Sequence, residues 1–152
     1  MKMNNKMSAL MHRYGVTWPL TEIVAVEKPP ELEQVQDCVL LKGEYDRHRH
    51  VTVESCFDRT GYEAFLNHVH IPFRETKESL IVCLSYATSL RRTLAPLSAD
   101  RRFRVIVGIS DNDSSVRFHQ IRPREDWISE NLEGYKSEAI LVFDVDTPSV
   151  AD

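Results

Sequence analysis

An alternating segment in the second half of the chain constrains the fold more than any other feature. Within residues 102–110 every second side chain is apolar: Phe103, Val105, Val107 and Ile109. This period of two is typical of a β-strand with one buried face. The turn-forming residues 111–114 follow, and then a second strand-like run over 116–121. Strands joined by so short a turn pair antiparallel, which predicts a sheet with antiparallel pairing.

Three helices are predicted from their capping residues and apolar spacing. Residues 60–69 begin with the spacing of a capping box, in which a threonine and a glutamate bind each other's backbone. Residues 76–95 begin with a capping threonine and carry apolar side chains every three to four positions. Residues 123–132 begin with proline and place acidic side chains in the first turn, which predicts a third, short helix.

The remaining segments complete the predicted architecture. Strands are also expected over residues 21–27, 37–44, 49–57 and 138–145, of which the second and third form a hairpin. This order of elements predicts an α+β fold. It consists of a mainly antiparallel sheet of about six strands with two to three helices packed on one face.

The length of the chain, 152 residues without repeats or Gly/Ser linkers, predicts a single domain over residues 16–152. Residues 1–15 hold all four methionines and are predicted to be a loosely ordered leader with a short helical turn over 8–14.

The cysteines and apolar runs favour a cytoplasmic location. The three cysteines, Cys38, Cys56 and Cys83, form no CxxC pair, so we expect reduced thiols. The longest apolar run, residues 80–84, is too short to cross a bilayer, and the N-terminus lacks the apolar stretch of a signal peptide. We therefore expect no membrane association.

Charge is segregated along the chain, although the net charge is only −4. Eight arginines lie between residues 91 and 124, namely Arg91, Arg92, Arg101, Arg102, Arg104, Arg117, Arg122 and Arg124. Residues 125–152 contain eight acidic residues against Lys136 alone. The arginines could contact phosphates, but the net negative charge argues against a nucleic-acid-binding protein.

Two His-x-His pairs are the best candidates for metal chemistry: His48 with His50, and His68 with His70. On an extended chain, imidazoles two residues apart lie on one side, as metal ligands require. The arginines beside the first pair would repel a cation, and the second pair lies at a predicted helix end. We therefore expect no metal and no other cofactor.

A small histidine- or metal-dependent hydrolase or nuclease is the enzymatic alternative. It would need a base, an acid and a positioned cation, which His48, His50, His119 and Arg104 could supply. No serine or cysteine lies in a nucleophile-elbow sequence. The sequence therefore assigns no catalytic residue.

The acidic segment is the candidate partner-binding surface. On the predicted helix, Asp126, Glu130 and Glu133 fall on one side with Trp127 beside them as a possible anchor. The full predicted surface comprises Glu125, Asp126, Trp127, Glu130, Glu133, Asp144 and Asp146. The alternative is a solvated helix whose tryptophan packs into the core.

These properties favour a protein-binding module over an enzyme. An acidic chain without convergent reactive residues needs only a complementary surface to inhibit another protein. Bacterial immunity proteins, which block the active site of a cognate toxin, are of this functional type. We therefore expect a basic protein partner, such as a nuclease toxin, that this chain neutralises.

Overall fold

The computed structural model of the chain describes residues 1–145. Asp146, the last member of the predicted partner-binding surface, lies outside the described residues. The described strands are β1 (Lys2–Met3), β2 (Leu32–Val35), β3 (Cys38–Leu41), β4 (His68–Pro72), β5 (Phe103–Ile109), β6 (Asp113–Gln120) and β7 (Ala139–Val145). The described α-helices are α1 (Asn5–Tyr14), α2 (Lys42–Arg47), α3 (Arg59–Leu66) and α4 (Lys77–Leu94). The predicted α+β class is confirmed.

Five of the strands form one antiparallel sheet in the order β1-β7-β5-β6-β4. The predicted hairpin is confirmed as β5 and β6, which pair from Phe103 opposite Gln120 to Ile109 opposite Ser114. β7 lies between β1 and β5, so the last predicted strand is internal. The terminal strands of the sheet are β1 and β4.

One face of the sheet packs against two helices. Phe103, Val105 and Val107 of β5 are fully buried in the same core cluster as Leu84 of α4 and Met7 of α1. α4 starts where predicted, because the Thr76 hydroxyl accepts from the backbone of its first turn. Among the described residues, no helix is long and apolar enough to span a membrane.

The opposite face of the sheet is covered by the irregular segment between β6 and β7. Ile106 and Val142 form a second buried cluster with Leu132, against which Ile128 and Tyr135 pack. The acidic residues of this segment are therefore held close to the sheet by the apolar residues between them.

β2 and β3 form a separate two-stranded antiparallel sheet. Their turn places Gln36 and Asp37 at φ angles of 47° and 68°, a conformation that the short side chain of aspartate tolerates. The strand predicted over 37–44 is thus correct over Cys38–Leu41, but its partner is the preceding strand.

Asn67, which follows α3, joins the two sheets through its side-chain amide. Its Oδ1 accepts from the backbone N–H of Leu41 at 2.8 Å. Its Nδ2 donates to the carbonyl oxygens of Val39 at 2.8 Å and Phe118 at 3.3 Å. The amide therefore takes the place of backbone pairing between β3 and β6.

Glu63, one helical turn earlier, makes the second link and is fully buried. Its carboxylate accepts from the backbone N–H of Val39 at 3.0 Å and of Gln120 at 2.7 Å. The Arg122 guanidinium donates to both carboxylate oxygens, at 2.9 and 3.0 Å. The buried charge is thus paired and hydrogen-bonded, as burial requires.

The leader prediction for residues 1–15 does not match the structure. Residues 5–14 form α1, which Asn4 caps by accepting from Met7 and which Gly15 ends at a φ angle of 62°. Met7 and Met11 are buried in the main core. The four methionines near the start of the chain therefore did not indicate a loosely ordered segment.

The predicted strands over 21–27 and 49–57 are wrong. Residues 21–27 are irregular, and the Val24 backbone N–H donates to the Ser85 hydroxyl of α4 at 3.1 Å. The second segment contains only the 3₁₀ turn Val53–Ser55, capped by Thr52. Alternating polar residues there reflect local turn contacts rather than strand pairing.

The predicted helix over 123–132 is also absent. Arg124 has a φ angle of 64°, which a helix cannot accommodate, and Arg122 forms an isolated bridge with Glu125. Ile128 and Leu132 are four residues apart, as on one side of a helix, but both pack on the sheet without forming an α-helix. Tertiary contacts here override local propensity.

Replacing Glu63 tests the importance of the buried link. In Glu63→Ala the Arg122 guanidinium loses its carboxylate partner inside the fold, so the free energy of unfolding should fall by about 3–5 kcal/mol. Urea denaturation followed by circular dichroism measures this change. Glu75→Ala, at an exposed position, should change stability by less than about 0.5 kcal/mol. Equal effects of the two substitutions would contradict the assignment.

Candidate functional site

The structure brings three of the four candidate histidines to one cleft. His48 at the end of α2 and His68 and His70 of β4 line a cleft of about 1300 Å³. Residues 27–31 and Tyr86 of α4 also line it, whereas His50 does not. Sequence alone could not place His48 in one cleft with His68 and His70, because α2 and β4 are separated in the chain by α3.

Each of these three histidines has its Nδ1 atom held by the protein. The Nδ1 atom of His48 lies 2.9 Å from the carbonyl oxygen of Glu44. That of His70 lies 2.7 Å from a carboxylate oxygen of Asp113, and that of His68 lies 3.0 Å from Nη2 of Arg117. Within residues 1–145 no hydrogen bond engages the three Nε2 atoms, which leaves them for an external ligand.

The guanidinium of Arg117 fixes the protonation of His68. Because arginine only donates, Nδ1 of His68 must accept, and the ring proton lies on Nε2. Burial, reinforced by the Arg117 charge, lowers the pKa of His68 to about 4. His68 is therefore a neutral ring whose Nε2 can donate a hydrogen bond.

The described residues do not form a metal site of the kind proteins usually use. No group of three or more His, Cys, Asp or Glu side chains in residues 1–145 could hold a metal ion. Neither Arg104 nor His119, the other members of the acid–base set, lines the cleft. His119 is buried with Nδ1 2.7 Å from the Gln120 carbonyl oxygen, and Arg104 pairs with Asp144 at 2.8 Å.

The predicted acidic surface is divided among several local contacts. Glu125 accepts from the hydroxyl of Thr60 at 2.6 Å, and Glu133 accepts from the backbone of Asn5 at 2.8 Å. Glu130 pairs with Lys2 near the β1 edge. Asp144 is held by Arg104 on the sheet. Because this segment forms no α-helix, Asp126, Glu130 and Glu133 do not share one side of a helix as was expected.

Trp127 lies beside α3, in an environment that sequence reasoning missed, and Asp126 precedes it in the chain. Asp126 makes no hydrogen bond or ion pair within residues 1–145. The Trp127 ring approaches within 3.9 Å of the position that a Cβ atom on Gly61 would occupy. The Arg117 guanidinium stacks on this ring, 5.0 Å from its centroid. Trp127 is therefore held in place while 43% of it stays exposed.

Two further exposed aromatic residues lie along α3. Phe57 precedes the capping residue Asp58 and is fully exposed, and Phe65 is 51% exposed. Phe65 follows Gly61 by four residues, which places it on the same side of the helix as Trp127. We call Phe57, Phe65 and Trp127 the α3 aromatic surface.

Phe57 departs from the usual packing at a helix start. An apolar residue before the cap commonly packs on the fourth helical residue, here Tyr62. Tyr62 is buried in the core instead, and Phe57 makes no such contact because it is fully exposed. A helical wheel could have predicted that Phe65 is exposed, because it lies outside the buried side of α3. The exposure of Phe57 depends on the tertiary fold and could not be predicted in this way.

The α3 aromatic surface adjoins the histidine cleft. The ring of Phe65 meets the ring of His48 edge-on, with centroids 6.4 Å apart. Arg117 makes a second connection, because it contacts both Trp127 and His68. One bound partner could therefore cover both features.

Comparison with known proteins gives a family but no activity. The model of the Uncharacterized protein PM0498 family matches residues 2–152. The chain belongs to this family. No curated protein and no solved structure matches it. For this member of the PM0498 family, function must be inferred from the surface and the cleft.

The depressed pKa of His68 predicts acid sensitivity of the fold. A histidine in the unfolded chain titrates near pH 6.5. Above that pH the ring is neutral in both the folded and the unfolded state, so the stability that depends on a neutral ring is fully present. It should be lost as the pH falls from about 6.5 to about 4. His68→Asn, which cannot be protonated, should lose less stability than wild type between pH 7.5 and pH 4.5 in urea denaturation.

His12→Asn is the matched control, since His12 is exposed on α1. It should retain the pH dependence of the wild type. The same pH dependence in His68→Asn and wild type would show that His68 titrates normally in the folded chain.

Proposed function

We propose that this chain is a protein-binding module of the inhibitor type, which neutralises a basic toxin by covering its active site. The observation that carries the proposal is the α3 aromatic surface: Phe65 is exposed on the helix, Phe57 is exposed just before it, and the exposed Trp127 lies against it. Interface energy is concentrated in a few such residues, and tryptophan is among the most enriched. Bacterial immunity proteins act in this way on their toxins.

Preorganisation supports this role. The Arg117 guanidinium stacks on the Trp127 ring, and the ring lies against α3 near Gly61 before any partner arrives. Little rotamer freedom then remains to be lost on association, which favours tight binding. Exposed apolar side chains that group into a patch mark interaction sites, and Phe57 adds a fully exposed ring to the side chains near α3.

Charge favours a basic partner. Asp126 is free of ion pairs within residues 1–145 and neighbours Trp127, and Asp58 lies beside Gly61. With a net charge of −4, the chain attracts cationic surfaces at long range. The catalytic cleft of a toxin that acts on phosphate esters is such a surface, and charge complementarity would speed its capture.

The proposal predicts that Phe57 and Trp127 are essential for binding. Affinity capture from native cells with wild type and with Phe57→Ala should identify a basic protein that depends on the aromatic ring. Calorimetry with that purified partner should then show a loss of about 2 kcal/mol or more for Phe57→Ala and Trp127→Ala, roughly thirtyfold in Kd. The complex should inhibit the catalytic activity of the partner at equal stoichiometry.

Val82→Ala provides the control, because Val82 is similarly exposed but lies on α4. It should bind like wild type. If Phe57→Ala and Trp127→Ala also bound like wild type, the α3 aromatic surface would not be the binding site.

Reversal of the neighbouring charge tests the electrostatic part separately. Asp126→Lys should weaken binding mainly by slowing association, and the difference from wild type should shrink at high salt. Stopped-flow association rates at two ionic strengths measure this effect. An unchanged association rate would remove Asp126 from the proposed interface.

A further inference from the structure

The edge strand β4 has a backbone that is paired on one side only. It pairs with β6, and no other strand of the described chain lies next to it. An edge strand with unpaired N–H and C=O groups can bind another extended chain as an added strand.

The hydrogen-bond phase of the ladder shows which groups of β4 face outward. The Phe118 N–H donates to the carbonyl oxygen of Asn67 at 3.3 Å, so residue 67 faces β6. Hydrogen-bonded positions alternate along an antiparallel strand, so residues 69 and 71 also face β6. The Ser114 hydroxyl accordingly donates to the carbonyl oxygen of Ile71 at 2.7 Å. The backbone groups of His68 and His70 therefore point away from the sheet.

Pro72 agrees with this phase and limits the site. It occupies the next outward position, where its missing N–H removes no bond to β6. Proline at that point blocks further strand addition. The edge available for pairing is thus centred on His68 and His70.

The histidine cleft lies along this edge. His68, Val69 and His70 of β4 line it together with residues of α2 and residues 27–31. Its volume of about 1300 Å³ exceeds the roughly 300–1000 Å³ typical of small-molecule sites. An extended peptide suits this shape better than a compact ligand.

The cleft offers more acceptors than donors. Glu27 and Glu31 line it opposite β4, against Lys28. Arg47 is already paired with Glu44. Lysine and arginine side chains provide the matching donors.

We propose that the cleft binds an extended, lysine- or arginine-containing segment of a protein, which pairs with β4 as an additional strand. The inference builds on the proposed function, since the segment would belong to the basic partner. The contact between Phe65 and His48 makes the strand site continuous with the α3 aromatic surface.

A peptide experiment tests this site without the native partner. The probe is a short, end-blocked peptide of alternating lysine and valine, titrated into the full ¹⁵N-labelled chain. Binding should perturb the amide signals of β4 and slow hydrogen exchange at the His68 and His70 amides. A matched glutamate–valine peptide should bind at least about tenfold more weakly, because its negative charges are repelled by the acidic residues of the cleft. N-methylation of alternate peptide amides should abolish binding.

Two substitutions at one position separate the backbone from the side chain. His70→Pro removes an outward N–H and should abolish peptide binding while the β4–β6 ladder remains. His70→Ala retains the N–H and should bind, with at most a few-fold loss. Wild-type affinity in His70→Pro, or equal binding of the N-methylated peptide, would overturn the proposal.

The remaining outcomes are also decisive. No binding of the lysine–valine peptide at millimolar concentration would overturn strand addition, and so would perturbations confined to α3. Because these measurements leave Phe57 and Trp127 unchanged, failure here would not affect the proposed inhibitor role. Conversely, Phe57→Ala should bind the peptide like wild type even where it loses the native partner.

Discussion

The buried carboxylate of Glu63 is the interaction on which the arrangement of this fold depends. The two sheets share no backbone pairing, although the Gln120 side chain donates to the Asp37 carbonyl oxygen at 2.9 Å, and α3 packs against both β3 and β6. Glu63 and Asn67, one helical turn apart, bind β3 on one side and β6 on the other. A buried charge is tolerated only when fully bonded, and Arg122 completes that requirement. The position of α3 is thereby fixed by directional bonds as well as by apolar packing.

Fixing α3 in this way determines what the molecule presents to its surroundings. The polar inner side of the helix is used up in joining the sheets, so its outer side carries Phe65 and supports Trp127. The chain then enters β4 at the edge of the sheet, next to α2, which creates the histidine cleft. The aromatic surface and the cleft are therefore consequences of one structural link.

The sequence predicted elements whose apolar period agrees with their packing. β5, β6, β7 and α4 each bury at least one side in the main core, and all were predicted to within a few residues. Prediction failed where helical or alternating spacing served another purpose. Ile128 and Leu132 cover the sheet from an irregular segment, and Glu63 was assigned to a capping box although its carboxylate is fully buried. The true cap of α3 is Asp58, which accepts from Gly61 at 2.6 Å.

The candidate site was less predictable than the fold because its parts come from distant segments. His48 and His68 line one cleft although α3 separates them in the chain, and Trp127, which follows β6 in the chain, lies against α3 at Gly61. Arg117 unites them, since one guanidinium stacks on Trp127 and donates to His68. A half-buried arginine without a carboxylate partner in the described chain is costly unless aromatic and imidazole contacts compensate. The Ala64 carbonyl oxygen of α3 also accepts from Nη1 of Arg117 at 3.0 Å. One guanidinium thus fixes α3, the Trp127 ring and His68 relative to one another, so the aromatic surface and the cleft share a single organising side chain.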